Sequence, residues 1–72
     1  MPCVSPDGKP TASGMKTLTS VNEGASTPQE VAKATGQPMF KVRSGLRELV
    51  NAGFLEEVDG KYHLTPTGSN VF

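Results

Sequence analysis

The sequence lacks tryptophan and isoleucine, and it has a single cysteine, Cys3. One cysteine cannot form an internal disulfide or supply a cysteine-rich zinc site. The chain must then be held together by packing alone, as in a protein of the reducing cytoplasm. No apolar run approaches the roughly 20 residues of a membrane span, which excludes an integral membrane protein. No basic-then-apolar leader is visible, so we do not expect secretion.

Excess charge of either sign is also missing, because seven basic residues balance seven acidic ones. The overall charge therefore gives no signal for nucleic acid, and only local asymmetry is informative. At 72 residues and 35% apolar content, the chain can form one small domain with a small core. Large sandwiches, barrels and dinucleotide-binding folds do not fit this length.

Proline and glycine divide the chain into three parts. Residues 1–10 contain three prolines and an Asp7-Gly8 turn signal, which predicts an irregular N-terminal arm. Residues 11–68 carry the periodic patterns of a folded domain, and residues 69–72 remain as a C-terminal stub. Because the chain ends soon after the last pattern, a fragment of a longer protein is one hypothesis.

Three helices are predicted within the domain. The first runs from about Ala12 to Asn22, with an apolar stripe of Met15, Leu18 and Val21. The second begins at Thr27-Pro28-Gln29-Glu30, a capping box with proline at the first helical position, and ends at Gly36. The third begins near Pro38 and runs to about Ala52; it has the strongest helical periodicity, in Met39, Val42, Leu46, Leu49 and Val50.

A two-stranded hairpin is predicted after the third helix. Asp59-Gly60 stands between two short alternating segments, and this dipeptide favours the positive φ angles of a tight hairpin turn. A lone hairpin is marginal in water, so it must pack against the helices. Thr65-Pro66-Thr67-Gly68 predicts a further turn or a very short helix.

This order of elements, with only Gly36-Gln37 and Pro38 between the second and third helices, predicts a helix-turn-helix. The chain here resembles the winged helix-turn-helix family of DNA-binding domains over about residues 11–68. Val31, Ala32 and Gly36 match in the second helix and turn, and Val42, Leu46 and Leu49 match on the inner face of the third. The segment LRELVNAGFLEEVDGKYHLTPTG resembles the end of a recognition helix followed by a wing. The expected fold class is therefore α+β, mainly α: a three-helix winged helix-turn-helix with a C-terminal hairpin.

The resemblance implies that the third helix enters the major groove of DNA. Arg43 and Arg47 lie four residues apart on its predicted outer face, and arginine can grip phosphate or read guanine. A merely solvated helix face is the alternative for both. Because Glu56, Glu57 and Asp59 make the wing acidic, at most a phosphate contact is expected there. The predicted DNA-binding residues are Lys33, Gln37, Phe40, Lys41, Arg43, Ser44, Arg47 and Lys61.

Phe40 is unusual for such a surface. We expect its ring to pack sideways into the core, and the alternatives are contact with a thymine methyl group or with a protein. Met39 is expected to pack between helices. His63 is expected to be exposed, and with Cys3 it would need two further ligands to hold a metal.

No pattern indicates catalysis. Glu56 and Glu57 are neighbours in a strand and point to opposite faces, and no phosphate-binding loop is present. We therefore expect no enzyme, no cofactor and no metal. The leading hypothesis is a cytoplasmic transcription regulator with duplex DNA as its partner, needing a homodimer or a further module for tight binding. The alternative is a protein-interaction module on the same fold, favoured by the zero net charge, the acidic wing and the Met39-Phe40 pair.

Overall fold

The computed structural model describes residues 4–72 and shows a small α+β structure that is mainly helical. Its elements are α1 (Ala12–Asn22), α2 (Pro28–Thr35), α3 (Met39–Asn51), β1 (Leu55–Val58), β2 (Lys61–Leu64) and α4 (Pro66–Ser69). The described chain thus has four helices and one antiparallel hairpin. Thr65-Pro66-Thr67-Gly68 was expected to form a turn or a very short helix, and α4 is such a helix, which adds a single turn to the three helices expected. Cys3 lies outside the described residues.

Helix α1 buries a face that is rich in hydroxyl groups. Leu18 and Val21 are buried as predicted, and Thr17 and Ser20 are buried beside them. The Thr17 hydroxyl donates to the Ser13 carbonyl at 3.2 Å, and the Ser20 hydroxyl donates to the Thr17 carbonyl at 2.7 Å. Because both hydroxyls are satisfied by the backbone of their own helix, their burial leaves no polar group unpaired.

Helix α2 begins and ends where its sequence signals predict. The Thr27 hydroxyl accepts from the Glu30 amide, and the Glu30 carboxylate accepts from the Thr27 amide, which completes the capping box. Gly36 ends the helix with φ 73°, a left-handed conformation that suits glycine. Only Gly36, Gln37 and Pro38 then separate α2 from α3, so a short turn joins the two helices.

The core lies between the three long helices and the base of the hairpin. Leu18 and Val31 meet the inner face of α3, whose Val42, Leu46 and Leu49 are fully buried. Phe54 and Leu55 close the cluster, and the less buried apolar residues around it are Val4, Met15, Ala25, Ala32, Val50, Tyr62, Leu64 and Val71. Val4 from the predicted arm and Val71 from the predicted stub therefore both pack against the core.

The hairpin turns at Asp59-Gly60 with φ angles of 53° and 78°, as its sequence predicts. Its register pairs Leu55 with Leu64 and Glu57 with Tyr62. The Tyr62 amide also donates to the Ser26 carbonyl at 2.7 Å, which ties β2 to the α1–α2 loop. The hairpin therefore occupies a defined position beside α3.

Helix α4 and the residue before it hold the end of the hairpin against the turn after α3. The Thr65 amide donates to the Phe54 carbonyl at 3.1 Å, and the Thr65 hydroxyl donates to the Gly53 carbonyl. Gly68 is buried so closely that an added Cβ would lie 2.0 Å from the Phe54 carbonyl oxygen. Only glycine fits at this contact.

The position of Phe40 contradicts the prediction that its ring packs into the core. Its side chain is 69% exposed, because its position on α3 lies opposite the buried side and no described element covers it there. Phe72 is also largely exposed, at 55%. Met39, expected to pack between helices, is half-buried.

Candidate nucleic-acid interface

The outward surface of α3 is a stripe of four exposed side chains: Phe40, Ser44, Arg47 and Asn51. They follow one another at spacings of four, three and four residues, which places them on one side of a helix. Successive residues turn by about 100°, so this stripe lies opposite the buried Val42, Gly45, Leu46 and Leu49. Helix α3 thus presents an aromatic ring, a hydroxyl, a guanidinium and an amide to the outside.

Arg43 and Arg47 lie one turn apart, and both side chains are exposed. With Ser44 they line one shallow hollow of about 230 Å³. Across residues 4–72, neither guanidinium forms an ion pair with a carboxylate. Like charges at this spacing destabilise an isolated helix by about 0.2–0.5 kcal/mol. The arginine pair therefore does not stabilise α3.

One flank of α3 faces the hairpin across a groove of about 420 Å³, here called the arginine groove. Arg43, Arg47 and Asn51 line it from α3, Pro28 lines it from the start of α2, and the hairpin contributes Glu57 and Tyr62. The strand register puts Glu57 on the same face as the buried Leu55. A single carboxylate therefore shares a groove with both arginines.

The other flank of α3 borders a second opening of about 420 Å³, here called the lysine cleft. It lies where α1 approaches the turn between α2 and α3, and it is lined mainly by Ser13, Lys16, Thr35, Gly36, Gln37 and Lys41. None of its lining residues is acidic. Lys41 reaches this flank because it stands about 200° around the helix from Arg43.

Two predicted contact residues lie outside α3 and away from both openings. Lys33 is exposed on α2 and lines neither of them. Lys61 is exposed on the hairpin face opposite Tyr62, where Val58 is its cross-strand partner. The structure therefore brings Arg43, Ser44 and Arg47 together, and separately Gln37 and Lys41, while Phe40 belongs to the outward stripe.

The start of α2, beside the arginine groove, is held by a titratable group. Glu30 Oε1 accepts from the Ser26 amide at 2.9 Å, from the Ser26 hydroxyl at 3.2 Å and from the Thr27 amide at 3.2 Å. The Ser26 amide, followed by the Ser26 hydroxyl and the Thr27 amide, lowers the pKa of Glu30 below its ordinary value. The carboxylate is therefore ionised at neutral pH and stabilises the first turn of α2.

A second carboxylate with a lowered pKa lies in the N-terminal loop. The Ser5 hydroxyl and the Lys9 amide both donate to Asp7, and these bonds lower its pKa, with the Ser5 contribution the larger. This loop is closed by two backbone bonds: the Ser5 amide donates to the Lys9 carbonyl at 2.8 Å, and the Gly8 amide donates to the Ser5 carbonyl at 2.9 Å. Asp7 thus stabilises the predicted Asp7-Gly8 turn and lines neither the groove nor the cleft.

The side chains at the openings that sequence reasoning missed include Lys16, Asn51, Glu57 and Tyr62. Asn51 follows Arg47 by four residues, so helical spacing alone could have placed it on the outward stripe. The Asp59-Gly60 turn fixes the register that puts Glu57 and Tyr62 on one face of the hairpin. Lys16 had no such signal, because its position depends on how α1 packs against the turn between α2 and α3.

The described residues offer no metal-binding cluster. In the range 4–72, no three His, Cys, Asp or Glu side chains lie close enough to hold an ion. No described helix is long and apolar enough to cross a membrane. No protein-family model, curated protein or solved structure matches the chain.

Proposed function

We propose that this protein binds duplex DNA as a small winged helix-turn-helix transcription regulator, with α3 lying in the major groove. The observation that carries the proposal is the exposed Arg43–Arg47 pair, which has no carboxylate partner in the described chain and lies on the side of α3 away from the core. Arginine pairs of this kind suit phosphate and guanine, which accept two parallel hydrogen bonds.

The arrangement of elements supports the same reading. A tight turn joins α2 to α3, and the hairpin follows α3 directly and is anchored by the bond from Tyr62 to Ser26. In helix-turn-helix proteins the second helix of the motif enters the groove and the first crosses the DNA backbone. Here that assigns α3 to the groove and places the start of α2 beside the phosphates.

The roles of the side chains follow from their positions. Arg47 and Ser44 on the outward stripe contact base edges, and Arg43 and Lys41 on the flanks contact phosphates. Phe40 lies on the same stripe, so its ring meets the thymine methyl groups that line the major groove. Gln37 at the turn contacts the backbone. Lys33 and Lys61 lie away from this surface and contribute little.

A salt titration of DNA affinity tests the proposal. Each cationic phosphate contact contributes about −0.9 to the slope of log affinity against log salt, so the contacts of Arg43 and Lys41 give a slope of about −1.8. The variant Arg43→Ala/Arg47→Ala removes one phosphate contact, which lowers the affinity about eightfold near 0.1 M salt, and one base contact, which costs about 1–3 kcal/mol more. Lys33→Ala is the matched control and is expected to change affinity little. A chain that shows no salt-dependent binding to duplex DNA contradicts the proposal.

One observation favours a second function, a protein-interaction module. Phe40 is 69% exposed and Val58 at the hairpin tip is 53% exposed, and exposed aromatic side chains are enriched at protein interfaces. This alternative requires a partner that contacts Phe40 and requires no DNA affinity. The salt titration separates the two functions, because a protein partner leaves wild-type DNA binding weak and insensitive to Arg43 and Arg47.

A further inference from the structure

We propose that the lysine cleft, through Lys16 of α1, is a second binding site for the DNA backbone, on the flank of α3 opposite the hairpin. This inference rests on the proposed DNA binding and adds an element, α1, to the contact surface. Its basis is the juxtaposition of Lys16 and Lys41, which come from different helices yet line one opening with no acidic side chain.

The dimensions of a helix in a groove require contacts on two sides. The major groove is about 12 Å wide and a helix with its side chains is about 10–12 Å across. A helix that fills the groove therefore has one phosphate strand along each flank. For α3, one flank borders the arginine groove and the other borders the lysine cleft.

The two flanks differ in how well they suit a phosphate strand. On the hairpin side, Glu57 shares the opening with the arginines, and Glu56 and Asp59 lie nearby in the same hairpin. On the α1 side, two ammonium groups are accompanied by the Gln37 amide and the Ser13 hydroxyl. Phosphate is attracted to unopposed cations and hydroxyl donors, so the lysine cleft is the more favourable of the two.

Lys16 is free to make this contact. Its side chain is exposed, and in the described part of the chain it forms no ion pair. Lys16 also lines a second opening along α1, which it shares with Glu23. The two residues are seven positions apart, or about 10 Å along the helix axis. No ion pair joins Lys16 to Glu23 in the described chain, so its ammonium group is available for a phosphate contact.

The test is the salt dependence of binding to a short labelled duplex of mixed sequence, followed by fluorescence anisotropy. Loss of one phosphate contact in Lys16→Gln lowers the slope by about 0.9 and the affinity about eightfold near 0.1 M salt. Lys16→Arg keeps the charge and is expected to retain the wild-type slope. Lys9→Gln removes the same charge from the N-terminal loop, outside the cleft, and is expected to change the slope little. Circular dichroism checks that all variants are folded.

The outcomes separate this inference from the proposed function. If wild type binds and Arg43→Ala/Arg47→Ala weakens binding, but Lys16→Gln keeps the wild-type slope, the lysine cleft is not a backbone site. If Lys16→Gln and Lys9→Gln weaken binding equally, the effect is net charge alone and the inference is wrong. If wild type shows no salt-dependent binding, the proposed function and this inference both fail.

Discussion

The two openings beside α3 have the same volume, about 420 Å³ each, and differ in charge. The lysine cleft holds two cations and no acid, whereas the arginine groove holds two cations and Glu57. The chain as a whole has no net charge, so a global count hides this asymmetry. The acidic hairpin therefore brings a carboxylate to one flank of α3 and leaves the opening on the other flank without one.

The largest expected effect is on the free energy of unfolding, where a substitution on the buried side of α3 is compared with one on its exposed side. Leu46 is fully buried, so Leu46→Ala is expected to lower the free energy of unfolding by about 2–5 kcal/mol. Arg47→Ala lies on the exposed side and is expected to change it by less than about 0.5 kcal/mol. Urea unfolding measures both. A large loss of stability in Arg47→Ala would assign that arginine a structural role instead of a binding one.

The second prediction concerns a substitution that disturbs only the packing of the hairpin against the turn after α3. In Gly68→Ala the new methyl group collides with the Phe54 carbonyl, and crowding of this kind costs about 1–3 kcal/mol or more. The contacts at Gly68 and Thr65 hold the hairpin to the turn after α3, so we expect exchange protection of the hairpin amides to fall more than that of α1. Thr67→Ala, on the exposed side of α4, is the control. Equal stability of the two variants would contradict the described packing.

The third prediction reverses the charge that distinguishes the two openings. Glu57→Lys gives the arginine groove three cations, and one added phosphate contact raises DNA affinity about eightfold near 0.1 M salt. Glu56→Lys makes the same change at the neighbouring position, whose side chain points to the opposite face of the hairpin. We expect a much smaller gain there. Equal gains in the two variants would show that Glu57 does not face the bound DNA.

The smallest expected effect is a dependence of stability on pH. The lowered pKa of Glu30 means that its bonds contribute stability above the unfolded-state pKa, and this contribution is lost as the pH falls through the folded-state pKa. Stability should therefore decline as the medium is acidified below about pH 4.5. Glu30→Gln retains a capping side chain and is expected to reduce this decline in urea unfolding measured across the acid range. An unchanged decline would assign it to other carboxylates.

The elements that sequence predicted well are those set by local chemistry. The capping box at Thr27 and Glu30 and the Asp59-Gly60 turn depend on residues only a few positions apart, and α3 was predicted from its apolar period. The predicted core packing of Phe40 was wrong, because sideways packing requires a neighbouring element and no described element covers that part of α3. The fourth helix was expected only as a turn or stub, since four residues carry no periodic signal.

The candidate site was predictable only in part, for the same reason. Arg43, Ser44 and Arg47 share a helix, so their spacing was enough to group them. Lys16 joins Lys41 through the packing of α1 against the α2–α3 turn, which no local pattern encodes. Lys33 and Lys61 were included for their charge alone, and the fold places both away from the two openings.

The most direct test of the central claim is an amide chemical-shift titration with mixed-sequence duplex DNA at low and high salt. We expect the shifted amides to cluster on residues 37–47 and to include Lys16 of α1, and we expect the shifts to shrink as salt is raised. Shifts confined to the outer face of the hairpin, around Glu56 and His63, or no shifts at low salt, would contradict DNA binding by α3.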